Sequence, residues 1–221
     1  MVETWNGRRW SIQRTPAPPS TEYPNLTAVS CTSSRACTAV GYYSTNSVYG
    51  ETFGESWNGS TWSIQAMPIP SDAQASYLNG VSCTSSTACT AVGYYYLNSS
   101  GDGVTLAESW NGRGWSIQPT PPDPSDTQLF YLDGVSCTSS TACTAVGEDW
   151  VDDSTTNEVA LAESWNGTTW SLQDTLNPSD AAQGAYLLVG VSCRTSAACT
   201  AVGNYRKEVD SYRETLAESI S

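Results

Sequence analysis

The sequence predicts an all-β fold: a four-bladed β-propeller of four-stranded antiparallel blades, closed by its N- and C-terminal strands, with one disulfide per blade. Three observations predict it. Two phrases alternate four times along the 221 residues, each unit of about 54 residues holds four short strand patterns, and eight cysteines fall in pairs at one fixed place in the unit. The first phrase, Glu-Ser-Trp-Asn-Gly-x-x-Trp-Ser-Ile/Leu-Gln, is carried by Trp57, Trp110 and Trp165, with a near copy at Trp5, at spacings of 52, 53 and 55 residues. The second, Leu-x-Gly/Ala-Val-Ser-Cys-x5-Cys-Thr-Ala-Val-Gly, starts at Leu26, Leu78, Leu132 and Leu188.

The elements follow in order within the unit that begins at Leu78. Leu78 to Cys83 reads as a first strand, and Cys89 to Tyr95 as a second, after the polar turn Thr-Ser-Ser-Thr-Ala. Thr105 to Trp110 is the third. Asn111-Gly112 then gives a hairpin signal, suited to a turn with φ > 0 at both central positions, before a fourth strand at Trp115 to Gln118. Proline-rich links such as Met67-Pro68-Ile69-Pro70 break the ladder and carry the chain onward. No segment reads as a helix. The chain opens in the third phrase position (Glu3-Thr4-Trp5), giving a fourth strand at Trp10 to Gln13 with no first or second strand before it. It ends at Glu214 to Ser221 in a third strand with no fourth. The N-terminal strand is therefore expected to complete the last blade and cover its open edge. This gives a single domain, 1–221, with blade cores at about 26–65, 78–118, 132–173 and 188–221, the last completed by 1–13. A ring of eight blades from two chains is the alternative.

Cys31/Cys37, Cys83/Cys89, Cys137/Cys143 and Cys193/Cys199 each stand at the two ends of one predicted hairpin, where cross-strand distances suit a disulfide. Each closes a short loop and stabilises by roughly 2–3 kcal/mol. Four such bonds imply an oxidising compartment and a secreted protein whose signal segment has been removed, since Met-Val-Glu-Thr-Trp-Asn-Gly has no apolar core. Thiolate metal binding is the competing reading, but it needs two hairpins to converge on one ion.

Composition narrows function. Nine Lys+Arg against 22 Asp+Glu give a net charge of −13, which argues against nucleic acid and anionic membranes as partners. No histidine is present, so Ser-His-Asp and Cys-His catalysis and histidine metal sites are excluded. No run of 18 apolar residues is found, so no helix spanning a bilayer is expected.

The alternation of Val-Ser-Cys…Thr-Ala-Val-Gly with Glu-Ser-Trp-Asn-Gly-x-x-Trp resembles secreted tandem-repeat proteins of actinobacterial type, and its order is similar to the BNR/YCF48-like propeller repeat. The hairpin Ser109-Trp110-Asn111-Gly112-Arg113-Gly114-Trp115 also resembles the Trp-Asp-Gly-x-Gly-Trp hairpin of fucose-binding propeller lectins. Those lectins carry a Glu three residues before the first Trp and an Arg on an inner strand. Here Glu108 lies two before Trp110, and Thr-Ala-Val-Gly has no Arg, so the resemblance implies the fold and not fucose chemistry.

Two sets of residues are candidates for a site. Strand alternation places Glu108, Trp110 and, across the turn, Trp115 on one face, repeated as Glu55/Trp57/Trp62 and Glu163/Trp165/Trp170, with Glu218 in the last blade. They read either as scaffold between blades or as a sugar platform of aromatic faces with a carboxylate acceptor. The second set lies at the opposite end, where the units differ most: Tyr43, Tyr95, Tyr96, Trp150 and Tyr205. Acidic residues there (Asp102, Asp149, Asp152, Asp153) suggest a calcium loop in composition, but no Asp-x-Asp-x-Asp-Gly pattern is present, and no metal or cofactor is expected. The sequence therefore points to an extracellular, non-catalytic binding module with a glycan or protein ligand, carbohydrate foremost. A structural or protein-interaction scaffold comes second and a glycoside-active enzyme third. A monomer or a ring-forming homo-oligomer is expected.

Overall fold

The computed structural model describes residues 2–19, 22–44, 49–98, 100–122, 129–150, 158–176, 178–179, 181–207 and 212–220. The Asp152–Asp153 pair lies outside them. Among the described residues there are seventeen strands and no helix. A hairpin, β1 (Val2–Trp5) and β2 (Trp10–Gln13), precedes four repeating units. Unit 1 is β3 (Glu22–Ser33), β4 (Ala36–Ser44), β5 (Gly50–Trp57) and β6 (Trp62–Gln65). Unit 2 is β7 (Ala73–Ser85), β8 (Ala88–Leu97), β9 (Gly103–Trp110) and β10 (Trp115–Gln118). Unit 3 is β11 (Leu129–Ser139), β12 (Ala142–Trp150), β13 (Glu158–Trp165) and β14 (Trp170–Leu172). Unit 4 is β15 (Ala181–Thr195), β16 (Ala198–Lys207) and β17 (Arg213–Ile220).

Each unit is an antiparallel meander, and its register follows from two features of the repeated phrases. At the hairpin between the first and second strands the two cysteines face each other, as in Cys83↔Cys89, and all four pairs are disulfides with sequence separation 6. Further along, the Val-Gly of the second strand meets a bulge in the first, between Leu78 and Gly80 in unit 2. A Cβ at Gly93 would lie 2.0 Å from the Tyr77 carbonyl oxygen, so only glycine lets the strands meet there. Gly41, Gly147 and Gly203 hold the same place.

The units do not close. β3 packs on β7, β7 on β11 and β11 on β15, so the four first strands run side by side, but β15 does not return to β3 in this way. Units 2, 3 and 4 are also joined at their sheet edges by one parallel residue pair per junction, Leu129↔Gly103 and Glu158↔Ala185. With the second of those edge contacts set aside the sheets have two, four, eight and three strands, and none curls into a barrel or propeller. This corrects the closed four-bladed propeller expected from the sequence. The strand expected to seal the last unit is elsewhere: β2 pairs with β1, in the register Trp5↔Trp10 to Val2↔Gln13, and not with β17. The physical reason is local. Trp5 and Trp10 flank the same Asn-Gly loop as the other tryptophan pairs, and a tight hairpin forms before any partner distant in sequence is reached. Its Gln13 Oε1 accepts the Trp62 indole N–H at 2.9 Å, which fixes the hairpin beside unit 1.

The core lies between units. One cluster joins Val40 of unit 1 to Leu78, Val81 and Cys89 of unit 2, a second joins Val92 to Leu132 and Cys143, and a third joins Val146 to Leu188 and Cys199. A single meander has too little apolar surface to fold alone, and stacking supplies the second layer.

Candidate functional site

At one end of units 1 to 3 the disulfide hairpin sits beside the loop Trp-Asn-Gly-x-x-Trp. The asparagine closes this loop with its side chain: Asn58 Oδ1 accepts the N–H groups of Ser60 and Thr61 at 2.9 and 3.0 Å, and Asn166 does the same for Thr168 and Thr169. The glycine alone takes the left-handed conformation, at φ +96° in Gly59 and Gly167. The two-residue turn expected at Asn-Gly, with φ > 0 at both positions, is thus replaced by a four-residue loop built on an Asx turn.

The loop brings each pair of tryptophans together, with ring centroids 5.6–5.9 Å apart, and gives its two members different tasks. Trp62, Trp115 and Trp170 are buried. Their indole N–H groups donate to Gln13 of the N-terminal hairpin and to Gln65 and Gln118 of the preceding unit, at 2.9, 3.1 and 3.1 Å. Trp57, Trp110 and Trp165 are half-buried, and their N–H groups donate to the carbonyls of Ser34, Ser86 and Ser140 in the disulfide turn of their own unit at 3.2–3.3 Å. That bond fixes the indole plane and leaves part of the ring as a wall.

Clefts open where these walls meet the next unit. Between units 3 and 4 a cleft of about 330 Å³ is lined by Trp165, Asn166, Ser136, Thr138, Thr141 and Ser196. Its counterpart between units 1 and 2, about 250 Å³, has Trp57 and Trp110 with Arg35, and the one between units 2 and 3 is nearly shut at about 40 Å³. A further cleft of about 500 Å³ lies between the hairpin and unit 1, against Trp57, Trp62 and Arg14. Hydroxyl groups and indole dominate these linings, and no carboxylate contributes to any of the four.

The repeated glutamates lie behind the clefts. Glu55, Glu108 and Glu163 are 0–1% exposed and Glu218 is 6% exposed. Both carboxyl oxygens of Glu108 and Oε2 of Glu55 have no hydrogen-bond partner, and the one polar neighbour acting on Glu163 is the Thr105 hydroxyl. Burial pushes Glu108 and Glu163 up to about 8 and Glu55 to about 7; at Glu163 the Thr105 hydroxyl of the preceding unit pulls weakly the other way. Glu218 differs, because its Oε1 accepts the Leu176 N–H. The repeat explains the difference. Leu176 stands six residues after Trp170, and the residues six after Trp115, Trp62 and Trp10 are Pro121, Pro68 and Pro16, which have no N–H to give. Glu108 and Glu163 are therefore held mostly as neutral acids at pH 7, away from solvent.

At the opposite end the structure brings together a set of rings that the sequence reading only partly found. Tyr42 meets Tyr77 edge-on at 4.9 Å, Tyr77 stacks on Tyr94 at 5.0 Å, and Tyr94 lies 4.2 Å from Tyr131, a ladder from unit 1 to unit 3. Tyr96 joins it through a 3.0 Å hydroxyl pair with Tyr131. Burial drives the phenols of Tyr94 and Tyr131 upward, so both stay protonated. Tyr77 and Tyr131, each just before the leucine that opens the second phrase, were the missed signal. Of the other residues named from the sequence, Tyr43 donates to Glu51 at 2.6 Å and its phenol is raised to about 12, chiefly by burial. Tyr205 donates to Glu214 at 3.4 Å. Trp150 ends β12 half-buried, with its indole nitrogen enclosed near the Glu148 carboxyl. Among the described residues Tyr43, Tyr95 and Trp150 share no ring contact. No group of three metal-ligating side chains is found among the described residues.

Fold and site together define an all-β tandem-repeat protein with a disulfide hairpin in each of its four units and a tryptophan loop in the first three. No protein-family model and no curated protein matches the chain. Among solved structures it is similar to the GH74 xyloglucanase from Xanthomonas campestris, at 10% identity and a TM-score of 0.45, over 96% of this chain and 37% of that one. The chain thus spans just over a third of that enzyme, and a likeness of this size carries no argument about activity.

Proposed function

We propose that this protein is an extracellular, non-catalytic carbohydrate-binding module whose ligand rests in the cleft between units 3 and 4, against Trp165. The observation that carries the reading is the pinned, half-exposed indole forming one wall of a hydroxyl-lined cleft of about 330 Å³. An aromatic face packs on the C–H surface of a pyranose, and hydroxyls that both donate and accept match its ring of hydroxyls. The volume is at the lower end for a ligand pocket, enough for one or two sugar rings. The non-catalytic part rests on the placement of the glutamates. Glycoside hydrolysis needs two carboxyl groups flanking the bond, and here the repeated carboxyls are buried behind the tryptophans in separate units. The four disulfides fit an oxidising, extracellular setting.

The test is a glycan-array screen of the oxidised protein with Trp165→Ala and Trp150→Ala, each checked for an unchanged near-ultraviolet circular dichroism spectrum. Glycan capture lost with Trp165→Ala and kept with Trp150→Ala is the expected result. Loss with Trp150→Ala alone moves the site to the tyrosine end. No capture of any glycan rejects the carbohydrate reading in favour of a protein-interaction scaffold.

A further inference from the structure

Three times in this chain the outgoing face of one unit meets the incoming face of the next, with the same chemistry each time. The outgoing face gives a serine whose Oγ accepts a cysteine N–H: Ser30 from Cys83, Ser82 from Cys137 and Ser136 from Cys193, at 2.9–3.0 Å. It also gives a threonine that meets a disulfide sulfur, Thr38 with Cys89, Thr90 with Cys143 and Thr144 with Cys199, at 3.3–3.6 Å. Between these bonds Val40, Val92 and Val146 pack against Leu78, Leu132 and Leu188, and all six are 0% exposed.

The end units each leave one half of this interface uncovered. On the outgoing face of unit 4, Val202 is 48% exposed, where its three counterparts are fully buried. Thr200 and Ser192 are exposed beside it, whereas Thr38, Thr90 and Thr144 are buried. On the incoming face of unit 1, Val29 is 57% exposed against 9% for Val81, and Leu26 is only half-buried.

We propose that unit 4 of one copy receives unit 1 of a second copy, head to tail, in a fourth junction of the same kind. Ser192 Oγ accepts the Cys31 N–H, Thr200 meets the Cys31–Cys37 disulfide, and Val202 packs on Leu26. The occupant is a second copy because the uncovered faces are the two halves of an interface already formed three times within this chain. One rearrangement goes with it. β1 occupies the edge of β2 that β17 takes in a completed unit, and the two strands carry the same pattern, Glu3-Thr4-Trp5 against Glu218-Ser219-Ile220. β17 of the first copy therefore replaces β1 on β2 of the second, with Ile220 opposite Trp10. β1 is easily displaced, being four residues long and largely exposed. Because the contact joins unlike faces, it can repeat from copy to copy.

The experiment is sedimentation velocity of the oxidised chain from about 1 to about 100 μM, the range in which transient interfaces associate. Species heavier than the 23.6 kDa monomer are expected to grow with concentration. They should grow further with added salt, which screens the repulsion between copies of charge −13. Val202→Asp and Val29→Asp, both at exposed positions, should each weaken association by roughly tenfold or more without changing the melting curve. Mixed in equal amounts they should recover one junction, at twice the monomer mass and no higher, since each supplies the face that the other lacks. A chain that stays monomeric throughout, association that survives both substitutions, or a mixture that recovers nothing overturns the proposal.

Discussion

The orphaned carboxyls make stability fall as pH rises. Glu108 is fully buried without a partner and Glu163 is fully buried with only the Thr105 hydroxyl beside it, and burial lifts each from about 4.5 to about 8. Below pH 4.5 both folded and unfolded chains hold the proton, and these groups cost nothing. Above it the unfolded chain releases the proton while the folded chain keeps it, so each group removes about 1.4 kcal/mol of stability per pH unit until pH 8. By pH 7 the loss is on the order of 3 kcal/mol per carboxyl. Neither group is shifted by the other's charge, so the two losses add. The sum is comparable to the whole stability of an ordinary domain.

The perturbation is Glu108→Gln with Glu163→Gln, which keeps shape and polarity and removes the titration. Thermal melts from pH 4 to pH 9 are the assay. For a chain of this length each kcal/mol is worth roughly 2–4 °C. The doubly substituted chain should melt within a few degrees of the wild type at pH 4. At pH 8 it should melt more than about 10 °C higher, with the gap opening between pH 5 and pH 8. Screening by salt should not remove the gap, because the cost is desolvation and not repulsion. Melting curves that run parallel across the whole pH range would refute the reasoning: the carboxyls would then be ionised and solvated in the folded chain.

Three further outcomes follow from the repeat. Leu176→Pro removes the N–H that Glu218 accepts and gives unit 4 the arrangement of the others, costing about 1–3 kcal/mol in denaturant unfolding. Gly147→Ala places a Cβ 2.0 Å from the Tyr131 carbonyl oxygen and should lower stability by about 4 kcal/mol or more, read as loss of near-ultraviolet dichroism at 25 °C. Gln118→Ala strands the buried Trp170 indole N–H, at about 1–3 kcal/mol; in a double-mutant cycle with Trp170→Phe, most of that cost should vanish.

Local structure was legible because both phrases carry their own register. The strands expected at 78–83, 89–95, 105–110 and 115–118 lie within β7 to β10, the disulfides join the expected partners, and the tryptophans face each other across the loop. Two features were not legible for the same reason. Whether units close depends on a small rotation between neighbours, set by contacts such as Val92 on Leu132, and neither phrase encodes that angle. Nor does alternation along a strand distinguish a carboxyl facing a cleft from one facing a neighbouring unit. Glu108 shares a strand face with Trp110, yet it is enclosed while Trp110 reaches the surface.

The interface chemistry accounts for why such costly carboxyls can be tolerated. Each of the three junctions combines a leucine–valine core with a serine–cysteine bond and a threonine–sulfur contact, and the first two add a glutamine–tryptophan bond. Stability in such an array is the sum of unit and junction terms, so a penalty inside one unit is offset by the junctions on either side. Unit 4 has a junction on one side only, and it is also the unit whose glutamate is given a donor, through Leu176 in place of a proline. If the junction supplies the missing stability elsewhere, Leu176→Pro should be tolerated better when a second copy covers Val202. The cost of that substitution should then shrink as protein concentration rises in the wild-type background, and stay constant in the Val202→Asp background. A cost independent of concentration in both would separate the glutamate's donor from the end face and leave the two as unconnected features of unit 4.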